Sequence, residues 1–199
     1  MAATAAALCV AAVPAYAQVK VNMKVGRPEN FNKISPNKVG LTKVDKTYLQ
    51  NAYFANAFEA KIGALAMSHG QDEWVKDFGQ DMYREHNLAN SELKQLAQAK
   101  MVSLSNNWPK TFVATYTKLS GLYGAKFDYQ FQKINKQGHM MVMNACAKEI
   151  KRGHDASVRG YATKMLATAR SHEQLVLTRQ TMLVHTMNSY GSAAQPIKP

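Results

Sequence analysis

Residues 127–150 read FDYQFQKINKQGHMMVMNACAKEI. Phe127, Phe131, Val142, Cys146 and Ile150 fall on one face at helical spacing, and Gly153 follows as a stop. No proline interrupts the run, so it predicts a helix over about 126–152. One polar residue, His139, stands on the stripe three residues before Val142. Three other stretches share this construction. The first spans about 45–69, from Asp45 as cap to Gly70 as stop, with Tyr48, Ala52, Ala55, Ile62 and Ala66 on one face and Glu59 in the gap. The second spans about 72–100, with Val75, Phe78, Met82, Ala89, Leu93 and Leu96 on its stripe and His86 in the gap. The last spans about 156–187, where Val158, Ala162, Met165, Ala169, Val176 and Leu183 flank His172. Residues 101–125 connect the middle pair. Pro109 opens a short helix there, and Gly121 and Gly124 close it. Two helical hairpins with a longer middle connection predict an all-α four-helix bundle, with a short extra helix between helices 2 and 3.

Composition agrees. At 199 residues and 46% hydrophobic, the chain suits one domain with tails. Eleven Gly and six Pro are too few for a many-turned sandwich or barrel. Residues 2–13 (AATAAALCVAAV) are uncharged and apolar, and Ala15-Tyr16-Ala17 is a small-x-small site, the form of a secretory signal peptide over 1–17. Cleavage is expected before Gln18, although no Lys or Arg sits near Met1. No later run predicts a transmembrane helix in the mature chain. Cys9 leaves with the signal, so Cys146 stands alone and reads as a small buried apolar residue. Residues 18–44 read as a flexible basic leader, 45–187 as the bundle and 188–199 as a loose tail.

Net charge is +12. Residues 45–107 carry 6 basic and 8 acidic groups, and residues 108–187 carry 12 and 4. In an exported protein that excess points to an anionic envelope surface (lipopolysaccharide, lipid or wall polymer) rather than nucleic acid. There is no Gly-rich phosphate loop, nucleophile elbow or cysteine-pair zinc motif, and Ser171 beside His172 does not make a triad. His69, His154 and His185 lie near helix ends, where solvent or the helix terminus satisfies them.

The four interruptions are the candidate site. Glu59, His86, His139 and His172 each fall within roughly two residues, about 3 Å of rise, of their helix midpoints. They therefore meet at one level whichever way the helices run. Buried singly, each costs several kcal/mol. Together they suit one transition-metal ion (Zn, Cu, Fe or Mn) or a hydrogen-bonded layer that holds no metal. Asn56, Asn135 and Glu173 are near enough in sequence to orient the ligands, and Met143 and Cys146 add sulfur on the His139 helix that would suit Cu(I).

The segments FANAFEAKIGALAM, MYREHNLANSELKQLA, FDYQFQKINKQGHMMVM and YATKMLATARSHEQLVL resemble a bacterial family, over about residues 45–185. It is the ferritin-like domain of unknown function often labelled as exported or outer membrane protein. Its motifs fall on Glu59, on Met82 with His86, on Phe127-Asp128 with His139, and on His172. The resemblance implies an exported ferritin-like bundle and no established activity. Di-iron chemistry is disfavoured, because Tyr83, Lys136 and Ala169 stand where Glu-x-x-His motifs need carboxylates. The expected protein is periplasmic or secreted, or peripheral to the outer membrane, and holds one metal ion for sequestration or stress protection. The alternative is an envelope protein with a purely structural polar layer, bound to anionic polymer or lipid through its basic regions.

Overall fold

A computed structural model of the chain describes residues 40–192, with side chains through Thr181. The expected signal peptide, the leader up to residue 39, the tail from residue 193 and the side chains of Leu183 and His185 lie outside the described residues. The described residues form five helices and no strand: α1 (Lys43–His69), α2 (Glu73–Ala99), α3 (Lys110–Ser120), α4 (Gly124–Arg152) and α5 (Ala156–Ser192).

The helix ends differ from expectation where capping chemistry decides them. α1 begins two residues early because Thr42, not Asp45, is its N-cap. Asp45 takes the third helical position and closes a capping box: Thr42 Oγ1 accepts from Asp45 N at 3.3 Å, and Asp45 Oδ2 accepts from Thr42 N at 2.7 Å. Lys43 and Val44 are thus helical rather than leader. Gly124 opens α4 at φ 62° instead of closing α3, which ends against Gly121. α5 continues to Ser192, past the expected start of the loose tail, because no proline or glycine stands between Tyr161 and Gly191.

α1 packs against α2 and α4, and α5 packs against the same two. Hydrogen bonds at the two ends set the chain directions. Asp128, in the first turns of α4, accepts from Gln71 N and Asp72 N at 3.0 and 2.9 Å, so α4 starts beside the α1–α2 turn. Asp45 Oδ1 accepts from His154 N and Asp155 N at 2.9 and 3.1 Å, so the α4–α5 turn sits at the start of α1. α2 and α4 therefore run the same way, and residues 100–123 cross back along the molecule. That crossing is pinned where Gln50 Oε1 accepts from Ser105 N, where Tyr53 Oη donates to Asn106, and where Phe58 meets Trp108 and Phe112.

Two apolar clusters fill the interior. One gathers Phe58, Ile62, Val75, Phe78, Phe127 and Phe131. The other gathers Tyr48, Leu49, Leu93, Cys146, Val158 and Met165. Glu59, His86, His139 and His172 fall between them along their helices, all buried.

α1 and α2 approach most closely at Gly63 and Gly79. A Cβ on Gly63 would stand 2.6 Å from Gly79 O and 2.9 Å from Tyr83 N, both backbone atoms that cannot yield without moving the helix. Gly63→Ala gains about 1 kcal/mol of helix propensity but forces the helices apart at about 1–3 kcal/mol. A net loss of up to about 2 kcal/mol in urea unfolding is expected.

At the opposite end, Glu149 is fully buried against Asp45. Burial, and then the neighbouring negative charge of Asp45, raise the Glu149 carboxyl to about 7. Asp45 stays ionised near 2, because bonds from Thr42 and Asp155 outweigh its own burial. A raised folded pKa contributes stability that is complete below the unfolded value and lost as pH rises through the folded one. Glu149→Gln keeps the shape of the side chain without its charge. The difference in unfolding free energy between this variant and the wild type should turn in favour of the variant from pH 5 to pH 8, measured by denaturant titration at each pH.

Candidate metal centre

Each long helix supplies one polar side chain to the central layer: Glu59 from α1, His86 from α2, His139 from α4 and His172 from α5. Their exposures are 4%, 1%, 0% and 3%. Ring centroids are 6.5 Å apart for His86 and His139, 5.4 Å for His86 and His172, and 5.2 Å for His139 and His172. One ring nitrogen from each lies within 4.8 Å of the other two, so the three imidazoles could hold a metal ion. Tetrahedral zinc places its donors about 3.4 Å apart, so binding would draw the rings in by about 1 Å.

Hydrogen bonds decide which nitrogens are free. Tyr161 Oη donates to the carbonyl of Ala89 at 3.1 Å, and that carbonyl can only accept. The same Oη accepts from Asn56 Nδ2 at 2.8 Å. The Asn56 amide is thereby locked with Oδ1 toward His86 Nδ1, 3.0 Å away. His86 must carry its proton on Nδ1, which leaves Nε2 bare, buried and without a partner. His172 Nε2 meets Glu85 Oε2 at 3.0 Å, and this bond holds the Glu85 carboxyl below its ordinary range. Glu85 is then an ionised acceptor, His172 Nε2 is the donor, and His172 Nδ1 has no partner. His139 has no hydrogen-bond partner at either nitrogen.

Burial, and then the neighbouring imidazoles, hold His86 well below the ordinary histidine range. The same two causes lower His139 to about 3. Both rings are neutral at pH 7 and present lone pairs. Glu59 moves the other way: burial raises its carboxyl to about 8.

The structure places Glu59 differently from the three rings. Its Oε2 lies 3.1 Å from His86 Nδ1, the nitrogen that also meets Asn56, and its Oε1 lies 3.9 Å from His139 Nε2. It stands behind His86 rather than in the group of converging donors. Asn56 meets the His86 ring through Oδ1. Asn135 donates to its own helix at Phe131 O and leaves Oδ1 without a partner. Glu173 is half-buried and bonds no ring among the described residues, because successive helical residues diverge by about 100°. Cys146 lies in the other apolar cluster, 3.4 Å from Tyr48 Oη, and Met143 is half-buried. Glu85 and Tyr161 have no sequence signal: one sits beside His86 off the stripe, and the other reads as a core aromatic. Three residues before His86, Tyr83 is 47% exposed, and among the described residues the group is made of the three histidines.

The fold and the centre define an all-helical domain with a buried histidine triad. The chain belongs to the family described as a domain of unknown function, DUF4142, which matches residues 33–178. Solved structures of similar fold include two DUF305 proteins. One, from Deinococcus radiodurans, has a TM-score of 0.64 at 12% identity and covers 70% of this chain and 97% of its own. The other, from Streptomyces coelicolor and inferred to be secreted, has a TM-score of 0.58 at 13% identity, with coverage of 67% and 89%. A Bacillus halodurans protein inferred to be a spore coat component has a TM-score of 0.56 at 10% identity, with coverage of 83% and 98%. No curated protein is significantly similar.

The hydrogen-bond relay makes a direct prediction. Long-range 1H–15N spectra of the metal-free protein at pH 7 should show His86 protonated on Nδ1 alone. Tyr161→Phe frees the Asn56 amide to turn, and the His86 signals should then report both tautomers in a protein of unchanged helix content.

Proposed function

We propose that this chain is an exported ferritin-like four-helix bundle that binds one transition-metal ion through His86, His139 and His172. One observation carries the reading: three buried imidazoles each keep a nitrogen without a hydrogen-bond partner and bring one nitrogen apiece to within 4.8 Å of the others in an apolar interior. A purely structural layer would use those nitrogens in hydrogen bonds, because a buried unsatisfied polar atom costs about 1–3 kcal/mol. A cation satisfies all three at once.

His86 would bind through Nε2, oriented by Asn56 and Tyr161, and His172 through Nδ1, oriented by Glu85. Glu59 would back His86 and tune the charge of the site. Three imidazole donors suit zinc or copper better than manganese, which prefers oxygen ligands. Neither Cys146 nor Met143 is needed for this set. Export is supported by the signal-like residues 1–17. No helix of the described residues is long and apolar enough to cross a membrane. The function is metal sequestration in the envelope or outside the cell, which limits free-metal stress.

Chelator-stripped protein should bind one equivalent of Zn(II) or copper in a calorimetric titration. His139→Ala should abolish it, and Tyr161→Phe should weaken it about tenfold to a hundredfold. At a free metal concentration of a hundred times Kd, the wild type should gain about 2.7 kcal/mol in unfolding, and His139→Ala nothing. Absence of stoichiometric binding for Zn(II), Cu(I), Cu(II), Fe(II) and Mn(II) alike would overturn the proposal.

A further inference from the structure

We propose that the outer face of α4 docks the protein onto an anionic phospholipid bilayer. This inference is independent of the metal centre. The helix buries Phe127, Phe131, Asn135, His139 and Cys146 toward the interior. Its opposite side exposes Lys126, Lys133, Lys148, Lys151 and Arg152. At about 100° per residue these cations project within an arc of roughly 140°, along roughly 38 Å of helix. The only two carboxylates of α4, Asp128 and Glu149, are both buried. None of the five cations pairs with a carboxylate among the described residues; the paired lysines and arginines there are Lys76, Arg84, Lys100, Lys164 and Arg179. The stripe is therefore a continuous cationic strip with no internal counter-charge.

The same arc holds the exposed apolar residues that identify the occupant. Tyr129 is 65% exposed, Met140 47% and Met141 68%, all lying between Lys126 and Lys148. Lysines reach lipid phosphates, a tyrosine ring rests at headgroup level, and thioether side chains enter the acyl boundary. A hydrated anionic polysaccharide would engage the lysines but gain little from the two methionines. A second copy meeting this face with its own would bring like charges together. Residues 18–38 add five cations against Glu29 alone, so the chain outside the described residues strengthens the attraction to an anionic surface.

The test is co-sedimentation of the full chain with vesicles of phosphatidylcholine alone or mixed with phosphatidylglycerol. Binding is expected only to the mixed vesicles, and it should be lost in 0.5 M salt, where the screening length is only a few ångströms. Each cation near such a surface is worth several-fold in partitioning, so Lys133→Glu with Lys148→Glu should reduce binding by about tenfold or more. Lys110→Glu with Lys118→Glu on α3 makes the same change in net charge away from the strip and should reduce it much less. Met140→Ser with Met141→Ser should weaken bilayer binding several-fold while leaving binding to dextran sulfate unchanged. Circular dichroism checks the fold of each variant. Equal losses from the α3 and α4 charge pairs would overturn the proposal, since net charge alone would then explain binding. So would a methionine pair without effect, which would point to a polyanion, or equal binding to uncharged vesicles.

Discussion

Burying an imidazole between apolar clusters is unfavourable unless its nitrogens find partners, and this protein buries three at one level. The constraint reaches every long helix. Each contributes one member to the central layer, so their relative heights are set by where those members must meet. Phe127, Phe131 and Phe78 close one side, and Cys146, Leu93 and Met165 close the other. With water held off on both sides, His86 and His139 stay neutral and Glu59 holds its proton toward pH 8. The layer keeps a set of nitrogens that form no hydrogen bond within the protein.

The supporting bonds give that layer direction. A tyrosine that donates to a backbone carbonyl has only its oxygen left to accept, so Asn56 must turn its amide nitrogen to Tyr161 and its oxygen to His86. Glu85 fixes His172 by a shorter route, since an ionised carboxylate can only accept. His139 is held only by packing, on the helix whose outer face carries the cationic strip. The centre and the strip thus occupy opposite sides of one helix, and the polar interior and charged exterior are separated by its width.

Similarity to DUF305 proteins at 12–13% identity concerns the fold. Packing helices at this length requires periodic apolar positions and close-approach residues such as Gly63 and Gly79, and many sequences meet those demands. The end pairings are more particular. Asp45 joins the first helix to the α4–α5 turn, and Asp128 joins the fourth helix to the α1–α2 turn. Both replace backbone partners that a short connection would otherwise leave to solvent, and both were hidden in the sequence, where Asp45 reads simply as a cap.

Helical periodicity determined the existence of the four long helices, because apolar residues at three- and four-residue steps state which side of each rod faces inward, and Pro109 with the glycines at 121 and 124 marked the short one. The same periodicity also marked Glu59, His86, His139 and His172 as polar residues on those inward sides, near mid-height. Only the tertiary structure decided how they face one another. Separating Glu59 from the three converging nitrogens, replacing Glu173 by Glu85, sending Cys146 into another cluster and recruiting Tyr161 all depend on side chains from different helices meeting across the interior. Periodicity fixes an angle about one helix axis and a height along it. It carries no information about the rotation and spacing of neighbouring helices, and those set which atoms come within hydrogen-bond reach.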